Sequence, residues 1–381
     1  MRLTLPQYPE AAWELSLTNN LGIYIHIPFC DKKCNYCDFY SAFYNKDILI
    51  SYLIALKGEI KKWGGKLDRP IDTVYIGGGT PSLLGEEIIP LLDCVKTNFT
   101  VLENAEITVE ANPSSSGDFL EFAKCAGVNR LSIGVQSGCD DTLKTLGRTH
   151  TARDAAITVA KARELGFDNI SLDLMIALPN SNLQTLKNDI DFILSLNPEH
   201  ISSYILKIEQ NTAFFKKQNT LNLPDDDDSA EQYLFMCEMF EKSGYNHYEI
   251  SNFSRQNYES RHNTKYWLGE DYLGLGPAAH SCLDGKRFYY PRDLIGFIKN
   301  PQTVFDGEAG GKQEAVMLGL RLSRGVDLSK IYGEIPEVIR KKLNLLENAG
   351  YIKANLPHIS LTNSGMLISN SIITELLGDY L

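Results

Sequence analysis

Gly22-Ile23-Tyr24-Ile25-His26-Ile27-Pro28-Phe29-Cys30-Asp31-Lys32-Lys33-Cys34-Asn35-Tyr36-Cys37 is the stretch on which the reading of this chain turns. Its first half is rich in β-branched and aromatic residues, and 22–27 reads as a buried strand. Its second half sets three cysteines at C-x3-C-x2-C spacing on the loop that leaves that strand. Parallel α/β architectures bind ligands at the carboxyl ends of their strands, so three thiols stand where chemistry is expected.

Five more β-rich runs follow, at 73–76, 107–110, 131–135, 170–176 and 201–208. Between them, segments such as 48–63, 86–98 and 152–165 repeat apolar residues at three and four and close on glycine-containing turns, the pattern of helices. The alternation implies a parallel sheet with right-handed crossovers. Six units fall short of the eight of a closed barrel, so the expected fold class is α/β, a partial (β/α)6 barrel with a wide mouth. Several strands end in polar or glycine-rich residues: His26-Ile27-Pro28, Gly77-Gly78-Gly79-Thr80, Glu110-Ala111-Asn112 and Gln136-Ser137. These endings are expected to converge on one site.

Past Leu223 the composition changes. Pro224 and the acidic run 225–228 precede an apolar helical pattern at 233–240, and the acids suit a solvated helix start. A polar, glycine-rich stretch at 300–312 marks a second boundary, followed by helical patterns at 314–322 and 336–349 and a hairpin-like pair at 351–361. The expected division is a barrel core over 1–223, a distinct segment over 224–305, and a helical, winged-helix-like domain over 306–381.

The 381 residues carry 37 Lys and Arg against 48 Asp and Glu, a net charge of −11, with 43% hydrophobic residues. So acidic a chain has no excess of cations to displace phosphate counterions, so nucleic acid is not an expected partner. No run approaches the roughly 20 apolar residues of a membrane span, and the amino terminus lacks a basic-then-apolar signal pattern, so a cytoplasmic location is expected. Eight cysteines are too sparse for a disulfide scaffold; Cys30, Cys34 and Cys37 cluster as metal ligands, and those at 94, 125, 139, 237 and 282 are expected to pack as small hydrophobes.

Three thiolates on one loop can hold three irons of a [4Fe–4S] cube and leave the fourth open to an exogenous ligand. The other reading is a zinc site of Cys3His or Cys3Asp type, completed by His26 or Asp38, in an interaction protein. The loop, with Tyr36 just before its last cysteine, resembles the signature of the radical S-adenosylmethionine (SAM) enzymes. Gly77-Gly78-Gly79-Thr80-Pro81-Ser82 resembles that family's glycine-rich SAM-amine segment, where glycines let backbone carbonyls approach an ammonium closely. The resemblance implies a [4Fe–4S] cluster, SAM and an electron donor.

Within that superfamily the chain is similar, over nearly its full length, to the oxygen-independent coproporphyrinogen III oxidase group. The matching stretches are Tyr24 to Cys30, Glu110-Ala111-Asn112-Pro113, Arg130 to Ser137, Leu146-Gly147-Arg148-Thr149-His150 and Asp173-Leu174-Met175. By that resemblance Tyr24, Gly78 and Glu110 contact the cluster-bound SAM, and Tyr36, Gly79, Thr80, Gln136, Arg148 and Asp173 line a second SAM position. The decarboxylases resemble C-x3-C-x2-C-x-C, whereas this chain has Asp38-Phe39 after its third cysteine, and Cys30 lies near the start of the sequence.

Arg261-His262-Asn263-Thr264-Lys265-Tyr266-Trp267 matches the H-N-x-x-Y-W motif of the related heme chaperone branch. An imidazole is a competent axial ligand to heme iron, and the Tyr and Trp rings offer flat apolar surface. The resemblance implies heme bound at His262 and passed to an acceptor hemoprotein. His280, in Gly274-Leu275-Gly276-Pro277-Ala278-Ala279-His280-Ser281, is a second candidate ligand. Oxidative decarboxylation of coproporphyrinogen III is the alternative activity.

Overall fold

The computed structural model describes residues 19–113 and 117–378. Six parallel strands form its centre in chain order: β1 (Leu21–Ile27), β2 (Ile71–Gly78), β3 (Val101–Ala111), β4 (Arg130–Gln136), β5 (Ile170–Ile176) and β6 (His200–Ile205). These are the six runs the sequence predicts. Helices Lys46–Gly64, Ile88–Asn98, Ala152–Glu164 and Leu183–Ser195 lie among the connections. The alternation within β1 shows how the layers arise. Leu21, Ile23, Ile25 and Ile27 are fully buried in one cluster with Leu49, Leu53 and Leu56 of the first helix, while Gly22, Tyr24 and His26 face the concave side.

The sheet has twelve strands, six more than the sequence reading found. An antiparallel hairpin, β7 (Asn246–Glu249) and β8 (Asn252–Ser254), extends it beyond β6. At the other edge β9 (Tyr272–Leu275) runs parallel to β1 and leads into an antiparallel meander, β10 (His280–Leu283), β11 (Lys286–Tyr289) and β12 (Val304–Glu308). Each has three to five residues, too few for a period of two to register. The strand order is linear, from β12 at one edge to β7 at the other, so the barrel is partial. Beyond it, helices Lys312–Gly319 and Glu337–Asn348 alternate with the strands of a small three-stranded sheet built from Val326–Asp327, Ile352–Asn355 and His358–Leu361, matching the winged-helix-like expectation.

The acidic run starts a helix as read: Asp225 caps Asp226–Lys242, its carboxylate accepting from the Asp228 amide at 2.8 Å. Two of the scattered cysteines depart from expectation. Cys237 and Cys282 are buried and Cys94 half-buried, but Cys125 and Cys139 are exposed, because they stand at the ends of short surface helices. The amino-terminal signal reading concerns residues 1–18, outside the described residues. Among the described residues no helix is long and apolar enough to cross a membrane.

Helix Arg261–Leu268, which carries the His-Asn-x-x-Tyr-Trp motif, closes the concave face near the amino ends of β2 and β3. Glu106 accepts from the free amides of Arg261 and His262, each at 3.0 Å, and Gly269 ends the helix in the left-handed conformation. Lys265, 3% exposed, pairs with Asp72 at 3.0 Å and Glu270 at 2.8 Å. Removing the cation leaves two carboxylates facing each other out of water. Lys265→Ala is therefore expected to lower the unfolding free energy by roughly 3–5 kcal/mol, read by urea denaturation; a loss below roughly 1 kcal/mol would show the pair to be dispensable.

Candidate cofactor site at the carboxyl edge of the sheet

The cysteine loop leaves β1 and is held by neighbours on both sides. Phe29–Cys30 pairs with Ala42–Phe43, so the loop returns on itself. On the glycine-rich side, the Gly79 amide donates to the Ile27 carbonyl at 2.8 Å and the Thr80 amide to Phe29 at 2.7 Å. Asn35 ties the far side down: its amide nitrogen donates to Leu146, its side chain to Thr145, and its carbonyl accepts from Phe214. The Gly77–Gly79 turn needs its glycines. A Cβ at Gly79 would fall 2.6 Å from the Phe29 carbonyl, and one at Gly78, whose φ is +117°, 2.6 Å from the His26 ring.

Cys30, Cys34 and Cys37 are free and line a cavity of about 420 Å³. Tyr36, Gly78, Gly79, Thr80, Glu110, Gln136, Arg148 and Asp173 line the same cavity. Two donors point at sulfur: Thr80 Oγ1 lies 3.6 Å from Cys30 Sγ, and Arg148 Nη1 3.5 Å from Cys34 Sγ. At Cys30 the Thr80 hydrogen bond opposes burial, which raises the thiol's pKa, and burial pushes Cys37 up to about 11. Arg148 is fixed by the Gly134 carbonyl at 2.6 Å and Asn112 Oδ1 at 3.2 Å. Three free thiols with donors aimed at two of them, below an open cavity, are a donor set that fits a cubane on three corners. Among the described residues no three His, Cys, Asp or Glu side chains converge as a single tetrahedral ion requires. His26 is not offered to a metal: its ring nitrogens meet Tyr24 OH at 2.9 Å and the Tyr40 carbonyl at 3.0 Å.

Two carboxyls face the cavity deeper in. Glu110 accepts from Tyr75 OH at 2.9 Å and the Gly78 amide at 3.0 Å, and its pKa is pushed up to about 7, by burial first and the Asp173 charge second. Burial pushes Asp173 up to about 6, although Ser132 donates to it at 3.2 Å. Opposite them stands Arg130, 2% exposed, whose Nε has no hydrogen-bond partner among the described residues. Such a wall suits a cationic or zwitterionic ligand, which would hold both carboxyls ionised. Sequence reasoning quoted Arg130 without giving it a role. An arginine opening an otherwise apolar strand is the signal that could have marked it. Ser202 and Tyr204 also line the cavity and carried no recognisable signal, and Asn263, quoted in the His-Asn-x-x-Tyr-Trp motif without a role of its own, lines it too.

Three of the singled-out residues stand outside the lining. Tyr24 lies beneath it, its ring 6.2 Å from that of Tyr75. His280 is on the sheet extension. His262 departs from the sequence expectation of an open heme ligand: it is 0% exposed, with Nδ1 2.8 Å from Thr73 Oγ1, Nε2 2.8 Å from Tyr266 OH, and its ring stacked on Tyr75 at 5.4 Å. Burial first, then the Lys265 charge, lowers its pKa to about 3. The imidazole is a neutral part of the barrel floor with no nitrogen left for iron. A sequence motif shows which residues neighbour one another, not which face the fold turns inward.

The model for the Radical SAM superfamily matches residues 24–193, and that for the HemN C-terminal domain matches 313–368. The Bacillus subtilis protein named heme chaperone HemW is 38% identical, covering 93% of this chain and 99% of its own length. This chain belongs to the HemW family. The Escherichia coli HemW is 35% identical over 94% of this chain and 98% of its own. A zebrafish (Danio rerio) relative, named radical S-adenosyl methionine domain-containing protein 1, mitochondrial, is 39% identical over 93% of this chain and 86% of its own. Among solved structures, the Escherichia coli coproporphyrinogen III oxidase HemN superposes with a TM-score of 0.78 at 21% identity, covering 97% of this chain and 93% of its own, which establishes the shared fold. Membership of the radical SAM superfamily implies a [4Fe–4S] cluster and SAM.

The Glu110 environment gives a pH test on the cofactor-free protein. Its folded pKa of about 7 lies above the ordinary 4.5, so the folded state holds the proton more tightly and stability falls as pH rises from about 4.5 through about 7. The stability gained by Glu110→Gln is expected to be larger at pH 8 than at pH 5 by on the order of 2 kcal/mol, measured by urea unfolding. An equal effect at both pH values would refute the buried-acid description.

Proposed function

We propose that this chain is a heme chaperone that binds heme, a [4Fe–4S] cluster and SAM, and transfers the heme to an acceptor protein. The observation that carries this is similarity to HemW proteins along nearly the whole chain, with a cysteine loop that stops at three thiols and Phe39 where the decarboxylases resemble a fourth. The solved oxidase HemN, at 21% identity, supports the fold alone, whereas the similarity to HemW proteins favours the chaperone over decarboxylation of coproporphyrinogen III.

In this reading Cys30, Cys34 and Cys37 hold the cluster, which with bound SAM supplies a one-electron donor beside a reducible sulfonium. Thr80 and Arg148 donate to the sulfurs and stabilise their charge. Glu110, with the Gly78 backbone, receives the SAM ammonium, and Tyr24 shapes the floor beneath. Tyr36, Gly79, Thr80, Gln136, Arg148 and Asp173 border a second SAM position. Residues 1–223 would carry this cofactor chemistry, 224–305 the heme-side function and 306–381 the winged-helix-like domain. A reducing, cytoplasmic compartment suits three free thiols, and an external electron donor is required.

Two measurements test the reading. After anaerobic reconstitution, Cys34→Ala is expected to lose most iron and labile sulfide; full retention of both, or zinc without sulfide, would remove the cluster from this loop. Hemin titration of the reconstituted wild-type chain is expected to give a saturating Soret shift, and anaerobic incubation with SAM, a reductant and coproporphyrinogen III no protoporphyrinogen IX. Product formation with carbon dioxide release would make the chain a decarboxylase.

A further inference from the structure

If the chain carries heme, some side chain must present a ligand to the iron, and the interior position of His262 reopens that question. Seven histidines are present. His26, His150, His200, His247 and His262 are buried, each with at least one ring nitrogen hydrogen-bonded to protein. His358 is half-buried and its Nε2 meets the Arg324 carbonyl at 2.5 Å. His280 differs from all of these: its side chain is 57% exposed, and no hydrogen bond among the described residues engages its Nε2.

The setting of His280 is that of an oriented ligand. Its Nδ1 lies 3.8 Å from Asp306 Oδ2 on β12. At that distance the carboxylate is an ion-pair neighbour of one ring nitrogen, and the other faces away from any hydrogen-bond partner among the described residues. On β11 the paired residue is Tyr289, whose ring stacks on the imidazole at 5.1 Å and 23° and restricts its rotation. Val304, paired with Tyr289 in turn and 41% exposed, extends a flat apolar surface for a porphyrin face. Heme also carries two propionates, which need a cation at the rim. The Ala278 amide donates to the Pro291 carbonyl at 3.3 Å, so exposed Arg292 follows directly beside the loop that leads into His280.

The site also faces the right way. Tyr290, next to Tyr289, turns to the helical layer, where its hydroxyl bonds Glu59 and accepts from Trp63. Tyr289 and its partner His280 therefore point to the opposite, concave side. Gly22 pairs with Tyr272 and Tyr272 with Cys282 on that same side, which places His280 two strand positions from β1, about 10 Å across the sheet from Tyr24. We propose that His280, stacked on Tyr289 and facing Asp306, is the axial ligand through which this chain holds heme iron, on the concave face of the sheet extension. This inference rests on the heme-carrier reading and deepens it.

The test is hemin titration of the reconstituted full-length chain, followed by absorption and electron paramagnetic resonance spectra of wild type, His280→Ala, His280→Cys and His262→Gln. His280→Ala is expected to bind hemin at least about tenfold more weakly and to lose the imidazole-ligated signal. His280→Cys is expected to shift the Soret band toward thiolate ligation, which a merely structural role for position 280 would not do. His262→Gln, which keeps a hydrogen-bonding side chain in the floor, is expected to leave the spectra unchanged. Wild-type binding with unaltered spectra in both His280 variants overturns the assignment. Absence of hemin binding by the wild type sinks the heme-carrier reading itself.

Discussion

The close approach of two strand ends is the constraint on which the site depends. β1 and β2 run together until the Gly79 and Thr80 amides reach the carbonyls of Ile27 and Phe29, a course that no side chain at 78 or 79 permits. That contact sets where Pro28 turns and so where Cys30 emerges. Asn35, Arg148 and the Ala42–Phe43 return then hold the other two thiols over the same cavity. Substituting either glycine would displace the loop before it touched any cofactor.

Charge is arranged with similar economy. Burial raises the proton affinity of both Glu110 and Asp173, the Asp173 charge adds to the effect at Glu110, and of the two arginines that face them Arg130 is buried and Arg148 half-buried. An interior of this kind is expensive when empty, because every ion in it is poorly solvated. A zwitterion bearing ammonium, carboxylate and sulfonium offers a partner for each sign. Ligand affinity and pH-dependent stability thus have one physical origin, and the stability of the empty protein is where that origin can be measured.

The parts of the fold that announce themselves in the sequence are those governed by local periodicity. The six central strands, buried on both faces, are runs of β-branched residues; the cysteine spacing and the glycine turn are likewise contiguous. What stayed hidden was set by contacts distant along the chain. The Arg261–Leu268 helix has a polar and aromatic sequence with no apolar face of its own, yet Glu106, Asp72 and Thr73 supply from β2 and β3 the partners that let it go inside. Arg130 similarly looks out of place until Glu110 and Asp173 arrive beside it. The added edge strands are too short to carry a pattern, and their strand character comes from pairing with neighbours already in place.

The parallel pairing of β1 with β9 has a temporal side. Gly22 finds Tyr272 only after most of the polypeptide has been synthesised, and the helix that seals the floor is made just before it. Until then β1 has one flank bare and the basin beneath it open to water, while the cysteine loop is already complete. Closing so long a loop costs entropy that only the finished sheet returns, which makes slow, late consolidation the natural kinetic behaviour of this chain. It also leaves an interval in which the three thiols of the loop are accessible from below as well as from the rim.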